Sequence, residues 1–206
     1  MTTIRSAELD DLDQLYAISL ATGHLGSNAS HLYNDPKLMG HIYSAPYLRL
    51  SPETCFVARD DMGLAGFIVG AIDTHHFERR LEREWWPYLR AQYSDPDENK
   101  RDSWTADQRR SFMIHHPEET PEAVIEAFPS HLHMQLLPRI QGRGIGVRLL
   151  DLWLGKAREK GAVGVHVGVN SQNRRAVKFW KRNGFQAPGS WATLPPGRTV
   201  WLGRHI

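Results

Sequence analysis

Cysteine is almost missing: Cys55 is the single one in 206 residues. It has no partner for an internal disulfide, and the paired Cys spacing of a zinc finger is absent. No apolar run approaches the roughly 18 residues that cross a bilayer. The opening stretch, MTTIRSAELDDLDQ, is acidic and lacks the apolar segment of a secretory signal. These absences predict a soluble, cytoplasmic chain with no membrane partner. Repeats, low-complexity tracts and long linkers are missing as well. With 41% hydrophobic and 23% charged residues, the composition is that of a globular protein rather than a disordered one. At about 150 residues per domain, the length suits a single domain, 1–206.

Acidic residues nearly vanish from the last third. From His131 to Ile206 only Asp151 and Glu159 oppose 13 Lys and Arg, a balance of +11. From Met1 to Ser130 there are 12 Lys and Arg against 21 Asp and Glu, a balance of −9. The two parts carry opposite fields. The basic third suits a polyanion, either nucleic acid or a phosphorylated cofactor, and the acidic part suits a cationic substrate.

The patterning predicts an α/β chain with a mixed sheet. Thr3–Arg5 reads as a strand, and Glu8–Leu20 as an amphipathic helix with Leu9, Leu12, Leu15, Tyr16 and Ser19 at helical spacing. A Gly, Ser, Asn and His-rich loop covers Thr22–Asn34. Asp35-Pro36 has the form of a helix start, with the helix running to Tyr43. Thr54–Arg59 and Leu64–Ile72 read as a hairpin around Asp60-Asp61-Met62-Gly63. Residues 74–130 carry no convincing strand and read as a helical insertion between the third and fourth strands. There Phe77, Leu81, Trp85 and Leu89 recur every four residues, and Pro87 disturbs the pattern. Leu132–Leu137 is then a strand closed by Pro138. Gly144–Lys160 is a long helix with Ile145, Leu149, Leu152 and Trp153 on one side, ended by Gly161. A strand over Val163–Val169 follows, then a helix from a Ser171 cap to Arg182. Phe185–Trp191 and Arg198–Gly203 read as two last strands joined by a Leu194-Pro195-Pro196-Gly197 turn.

The segment Gln141-Gly142-Arg143-Gly144-Ile145-Gly146 joins a strand to the long helix. Glycines at alternate positions let the backbone turn tightly and bring N–H groups close to a ligand. The helix start behind them favours an anion, and Arg143 and Arg148 add full charges. A pyrophosphate is the natural guest. A Rossmann loop would need G-x-G-x-x-G directly after its strand and an acid ending the next one; a P-loop would need G-K-[ST]. Neither condition is met. A turn serving chain geometry alone is the plain competitor.

The run Leu136-Leu137-Pro138-Arg139-Ile140-Gln141-Gly142-Arg143-Gly144-Ile145-Gly146 resembles the acetyl-CoA signature of the GNAT acetyltransferase superfamily. Asn173-Arg174-Arg175-Ala176-Val177-Lys178-Phe179-Trp180, followed by Gly184-Phe185, resembles the helix that completes it. Ile4-Arg5-Ser6-Ala7 with Asp10 and Asp11 is similar to the family's opening. Within the superfamily, Asp35-Pro36 through Pro46-Tyr47, Leu50 through Val57, Trp85-Trp86-Pro87 and Phe128 through Leu132 look like the acetyltransferase-like C-terminal domains of O-GlcNAcases. The chain would be a free-standing bacterial-type relative, and no glycosidase activity is implied.

The resemblance implies a GNAT fold with a splayed parallel strand pair, an acetyl-CoA-binding core over 131–185, and direct acetyl transfer to an amine in a ternary complex. The alternative is an acetyl-CoA-binding module without efficient turnover. Leu136 and Leu137 would offer backbone groups to pantetheine; their plain reading is core packing. Gln141, Gly142, Arg143, Gly144, Ile145 and Gly146 would hold the pyrophosphate. Asn173 would touch the pantetheine arm or simply make a helix-turn hydrogen bond. Trp180 stands where many members carry a Tyr that protonates the leaving thiolate, and an indole cannot shuttle that proton. His131 and His133 share one strand face; each is a candidate base or a buried strand residue. No third residue is spaced to make them a metal site. Cys55 reads as an inert buried thiol. The expected partners are acetyl-CoA, an amine acceptor of cationic character and a second copy of the chain. Nucleic acid is the weaker partner, since no recognised motif for it is present.

Overall fold

The computed structural model describes residues 1–189, 191 and 197–206. Six strands form one sheet in chain order: β1 (Thr3–Ser6), β2 (Phe56–Asp60), β3 (Gly63–Ala71), β4 (Ser130–Leu136), β5 (Gly164–Asn170) and β6 (Thr199–His205). All neighbours are antiparallel except β4 and β5. Before the hairpin come α1 (Leu12–Thr22), α2 (Leu38–Tyr43) and α3 (Ala45–Leu50). Between β3 and β4 lies the expected helical insertion: α4 (Thr74–Arg80), a π turn over Leu81–Trp85, α5 (Trp86–Arg90), α6 (Ala106–His115) and α7 (Glu122–Ala127). After β4 come α8 (Ile145–Glu159) and α9 (Arg174–Arg182).

The sheet separates two cores. On one face α8 buries Ile145, Leu149, Leu150, Trp153, Leu154 and Ala157 against Leu132 of β4, Val165, Val167 and Val169 of β5, and Ile68 of β3. The spacing of these residues is helical, and each fully buried Leu or Ile contributes roughly 1.5–3 kcal/mol. On the other face, α1 and α3 close Leu15, Ile18, Tyr47 and Leu48 over Val57, Phe67 and Val69. A bulge makes both cores possible. Ala58 pairs with Gly66 and Arg59 with Leu64, so Ala65 is the extra residue. Alternation reverses there, which places Leu64 and Phe67 in the same core.

Several local expectations need correction. The first helical turn after the loop begins at Leu38; the Asp35 carboxylate instead accepts from the Lys37 N–H in a local turn. The helix Ala45–Leu50 was not anticipated. Pro87 does not break its helix. It falls in the first turn of α5, where a missing N–H is harmless, and the π turn before it absorbs the change of phase. Leu152 is exposed, and Leu150 and Leu154 take its place in the core. The cap of α9 is Asn173 rather than Ser171. Phe185–Trp191 is no strand: Gln186 alone bridges to Gly203, and Phe185 is buried against Trp180. Of the anticipated final turn, Leu194, Pro195 and Pro196 lie outside the described residues.

Candidate active site

Although β4 and β5 each run seven residues, they pair only at Ser130↔Val165 and His131↔His166. Beyond that point β4 stays with β3 out to Gly66↔Leu136, while β5 stays with β6 out to Asn170↔Thr199. The strands part into a wedge. The Leu137 N–H donates to the Ala65 carbonyl at 2.7 Å, and the Leu137 carbonyl accepts from Ile140 N–H at 3.1 Å. Both Leu137 groups are therefore engaged, and the expectation that it offers them to a ligand is corrected. Alternation along an antiparallel ladder turns the backbone polar groups of Leu136 and Met134 to the open edge instead. Met134 was not anticipated, although its i−2 relation to Leu136 was visible.

The loop that follows is anchored at its base. Arg139 donates from Nε to Asp60 at 2.7 Å and from Nη2 to the Leu64 carbonyl at 2.9 Å, tying the turn over Pro138–Ile140 to the β2–β3 hairpin. That pairing holds the Asp60 carboxyl below its ordinary range. Gln141 Nε2 donates to the Leu136 carbonyl at 2.6 Å. Gly142 and Gly144 then take φ of 72° and 74°, a left-handed conformation that side-chain-bearing residues avoid. Gly144 is the N-cap of α8 and has no capping side chain. The free amides that open this helix therefore face outward beside Arg143. Gly146 has another role, since a Cβ there would press on Leu136 and Phe179.

Across the wedge, the Asn173 side-chain Oδ1 accepts from Ala176 N–H at 3.1 Å and caps α9. Its Nδ2 faces the loop after α1, where a Cβ on Gly26 would lie 3.7 Å away. A shallow depression of about 420 Å³ runs along α9 between Ser171, Arg174, Val177, Lys178, Lys181 and Arg182. Trp180 is buried, packed on Phe179 and Phe185.

On the face of β4 opposite α8, His131, His133 and Gln135 alternate. His131 is locked in a chain of hydrogen bonds. The Thr74 hydroxyl donates to the Pro129 carbonyl at 2.7 Å, so it accepts from His131 Nδ1–H at 2.8 Å. His131 Nε2 then accepts from Tyr47 O–H at 2.9 Å. Both ring nitrogens are engaged, and burial holds the ring neutral, its pKa well below 6.5. His133 differs. It is as partly buried as His131 and sits edge-on to Tyr43 and Tyr47 at 5.6 and 5.4 Å, but it has no hydrogen-bond partner among the described residues. Burial, helped by His166, pushes its pKa down to about 4. Gln135 Oε1 is a buried acceptor without a partner. Cys55 is buried, and burial drives its thiol pKa far up, so no thiolate nucleophile forms there. Among the described residues no group of three or more His, Cys, Asp or Glu could hold a metal ion. No helix among them is long and apolar enough to cross a membrane.

A parted parallel strand pair, a left-handed glycine turn and free amides opening the next helix thus follow one another along the chain. Residues 78–185 match the Acetyltransferase (GNAT) family, and the chain belongs to that family. It is similar to rat O-GlcNAcase, 25% identical over 175 residues that make up 84% of this chain and 19% of the relative. The chain thus spans about a fifth of the length of that curated protein. An uncharacterized N-acetyltransferase of Mycobacterium bovis is 36% identical over 72 residues, 35% of this chain and 42% of that one. Among solved structures, that of SsHAT superposes with a TM-score of 0.89 at 32% identity, covering 99% of this chain and 98% of the other. The PaiA N-acetyltransferase from Thermoplasma acidophilum, in complex with coenzyme A, shares the fold at a TM-score of 0.57 and 15% identity, covering 100% and 99%.

Proposed function

We propose that the chain is an acetyl-CoA-dependent N-acetyltransferase, a single domain over 1–206, that moves acetyl directly to an amine. One observation carries this reading: the β4–β5 wedge opens onto the unsatisfied amides of α8 behind the two left-handed glycines. The cradle fits the group. Open backbone lies where an extended pantetheine would need it, and nothing stands within 4 Å of a Cβ on Gly142 or Gly144. Acetyl-CoA would supply an activated acetyl thioester.

The rest of the chemistry falls to the chain. Amides at Gly144, Ile145 and Gly146, with Arg143, neutralise pyrophosphate charge. Arg174, Lys178, Lys181 and Arg182 offer cations for a terminal phosphate. Backbone groups of Leu136 and Met134 hold the pantetheine arm, with Asn173 Nδ2 on its other side. An N–H of Met134 or Leu136 aimed at the thioester oxygen would stabilise the charge that develops there by about 3 kcal/mol. Of the two histidines, His133 takes the acceptor's proton, since His131 has no free nitrogen. With a pKa near 4, His133 is neutral at pH 7 but weakly basic. It relays a proton from an amine that arrives uncharged rather than stripping an ammonium. Gln135 Oε1 accepts the amine's other N–H.

The buried position of Trp180 favours a second reading: a module that binds acetyl-CoA without efficient turnover. No side-chain acid is placed there to protonate the departing thiolate. Thiol release from acetyl-CoA against a panel of amines separates the two. The transferase should release thiol only with an acceptor, faster as pH rises through the amine's own pKa, and His133→Gln should slow it about 10²-fold with coenzyme A affinity unchanged. Tight binding with no release from any acceptor would leave the module.

A further inference from the structure

Against Tyr43, whose ring His133 meets edge-on, lies a guanidinium with no carboxylate among the described residues. Arg110, on α6, donates from Nε to the Tyr33 hydroxyl oxygen at 3.0 Å and from Nη1 to the Tyr43 hydroxyl oxygen at 3.3 Å. Nη1 also meets Met113 Sδ at 2.9 Å, and the guanidinium carbon lies 5.5 Å from the Tyr43 ring centre. The side chain is half-buried. No Asp or Glu among the described residues pairs with it. The acid nearest on its own helix and the one nearest Tyr33 in sequence are directed elsewhere. Asp107 accepts from the backbone N–H groups of Asn34 and Asp35, and Asp35 accepts from the Tyr93 hydroxyl at 2.7 Å. A cation withdrawn from water without a counter-ion is unfavourable. This one is held by neutral groups alone.

The direction of those bonds gives the arrangement its use. Each phenol oxygen accepts from Arg110, so each phenol keeps its own O–H to donate. Nη2 has no partner among the described residues. Two hydroxyl donors and a charged, planar donor thus converge at the half-exposed Tyr33 in the loop between α1 and α2. That loop also faces Asn173 across the wedge. With Nε and Nη1 already engaged, the donors left are Nη2 and the two phenol O–H groups. One positive charge and this small donor set suit the single charge and two oxygens of a carboxylate, whereas a phosphate would bring up to two charges and three acceptor oxygens. Tyr43 links this cluster to the proposed reaction centre, since its ring is the one set edge-on to His133 at 5.6 Å.

We propose that Arg110, Tyr33 and Tyr43 bind a carboxylate on the acceptor, which is then a compound carrying its amine and its carboxylate several bonds apart. The inference rests on the transferase reading for the amine's fate, but the carboxylate site stands on its own contacts. It narrows the cationic acceptor expected from charge to a zwitterion.

The test uses glycine, β-alanine, 4-aminobutyrate and 6-aminohexanoate, each against the amine of the same chain length without the carboxylate. Calorimetry on the coenzyme-A-saturated protein reads binding, and thiol release from acetyl-CoA reads transfer. At least one length should bind about tenfold more tightly than its plain amine. Arg110→Gln should erase that preference while coenzyme A affinity stays unchanged. Tyr33→Phe, which keeps the guanidinium, should weaken the preference about threefold and serves should the first variant fold poorly. A guanidinium serving structure alone would alter stability and leave the preference intact. No carboxylate preference at any length, or a preference that survives both substitutions, overturns the proposal. A preference without thiol release would sustain the carboxylate site and remove the transferase reading, so the two fail separately.

Discussion

The open edge and the far face of β4 present two proposed sites built of different material. At the edge, the proposed recognition is backbone: the Leu136 N–H and the polar groups of Met134, left without a strand partner where β5 diverges while Gln141 takes the Leu136 carbonyl, and the amides of α8 behind Gly142 and Gly144. On the far face it is side chain: His131, His133 and Gln135 beneath Tyr43, Tyr47 and Arg110. A backbone site is dictated by where strands part and helices begin, so a short glycine motif is enough to specify it. A side-chain site depends on which residues distant segments bring together. Of the four histidines with depressed pKa values, His131 and His133 lie on that far face, His166 packs beside His131 from β5 and His41 lies on α2 against Tyr16; none lies at the open edge.

That asymmetry gives the largest expected effect. Burial keeps all four rings neutral, pushing His41, His133 and His166 down to about 4 and His131 well below the 6.5 of an unhindered imidazole. The unfolded chain binds these protons as pH falls past 6.5, and the native chain does not until about 4. Stability is therefore complete above pH 6.5 and declines between 6.5 and 4. Each histidine contributes up to about 1.4 kcal/mol per pH unit. Four together rival the roughly 5–15 kcal/mol that holds a domain folded. Circular dichroism from pH 7 to 4 should show cooperative unfolding inside that window. Stability that stays level down to pH 4.5 would mean the histidine face is wetter than its packing indicates, and the contrast with the backbone edge would break.

The same division explains what could be read from sequence. The C-terminal third was legible because strand, glycine turn, long helix and closing helix follow in unbroken order, and each local signal agrees with the fold. Phe185 misled because its burial comes from packing on Trp180 rather than from strand pairing. Leu137 misled because it falls on the bonded phase of the β3–β4 ladder, whose unbroken register carries its N–H to the Ala65 carbonyl, and the residue pattern does not reveal that phase. The His131-x-His133-x-Gln135 alternation could have pointed to Gln135. Arg110 could not have been found so, since it meets Tyr33 and Tyr43 across 77 and 67 residues.

A smaller effect tests the backbone edge directly. Gly144→Val would force a β-branched residue to a φ of 74°, a strain of about 1–3 kcal/mol, and place its methyl groups in the open space beside the helix amides. Coenzyme A affinity should fall at least about tenfold, the equivalent of 1.4 kcal/mol. The fold should persist, since nothing lies within 4 Å of the new Cβ. Unchanged affinity by calorimetry would show that the glycines serve only the turn.

The smallest effect is the control for that one. Gly155 lies in the same helix, at ordinary helical dihedrals, and a Cβ there also meets nothing within 4 Å. Here glycine brings only its cost in a helix interior, about 0.5–1 kcal/mol relative to alanine. Gly155→Ala should therefore raise the melting temperature by roughly 2–4 °C per kcal/mol gained and leave coenzyme A affinity where it was. If Gly155→Ala weakened binding as Gly144→Val does, α8 would be sensing substitution anywhere along its length. Affinity would then follow the helix's general order rather than the left-handed turn at its start. Opposite outcomes at two glycines eleven positions apart on α8 would place the recognition in the backbone conformation of the turn.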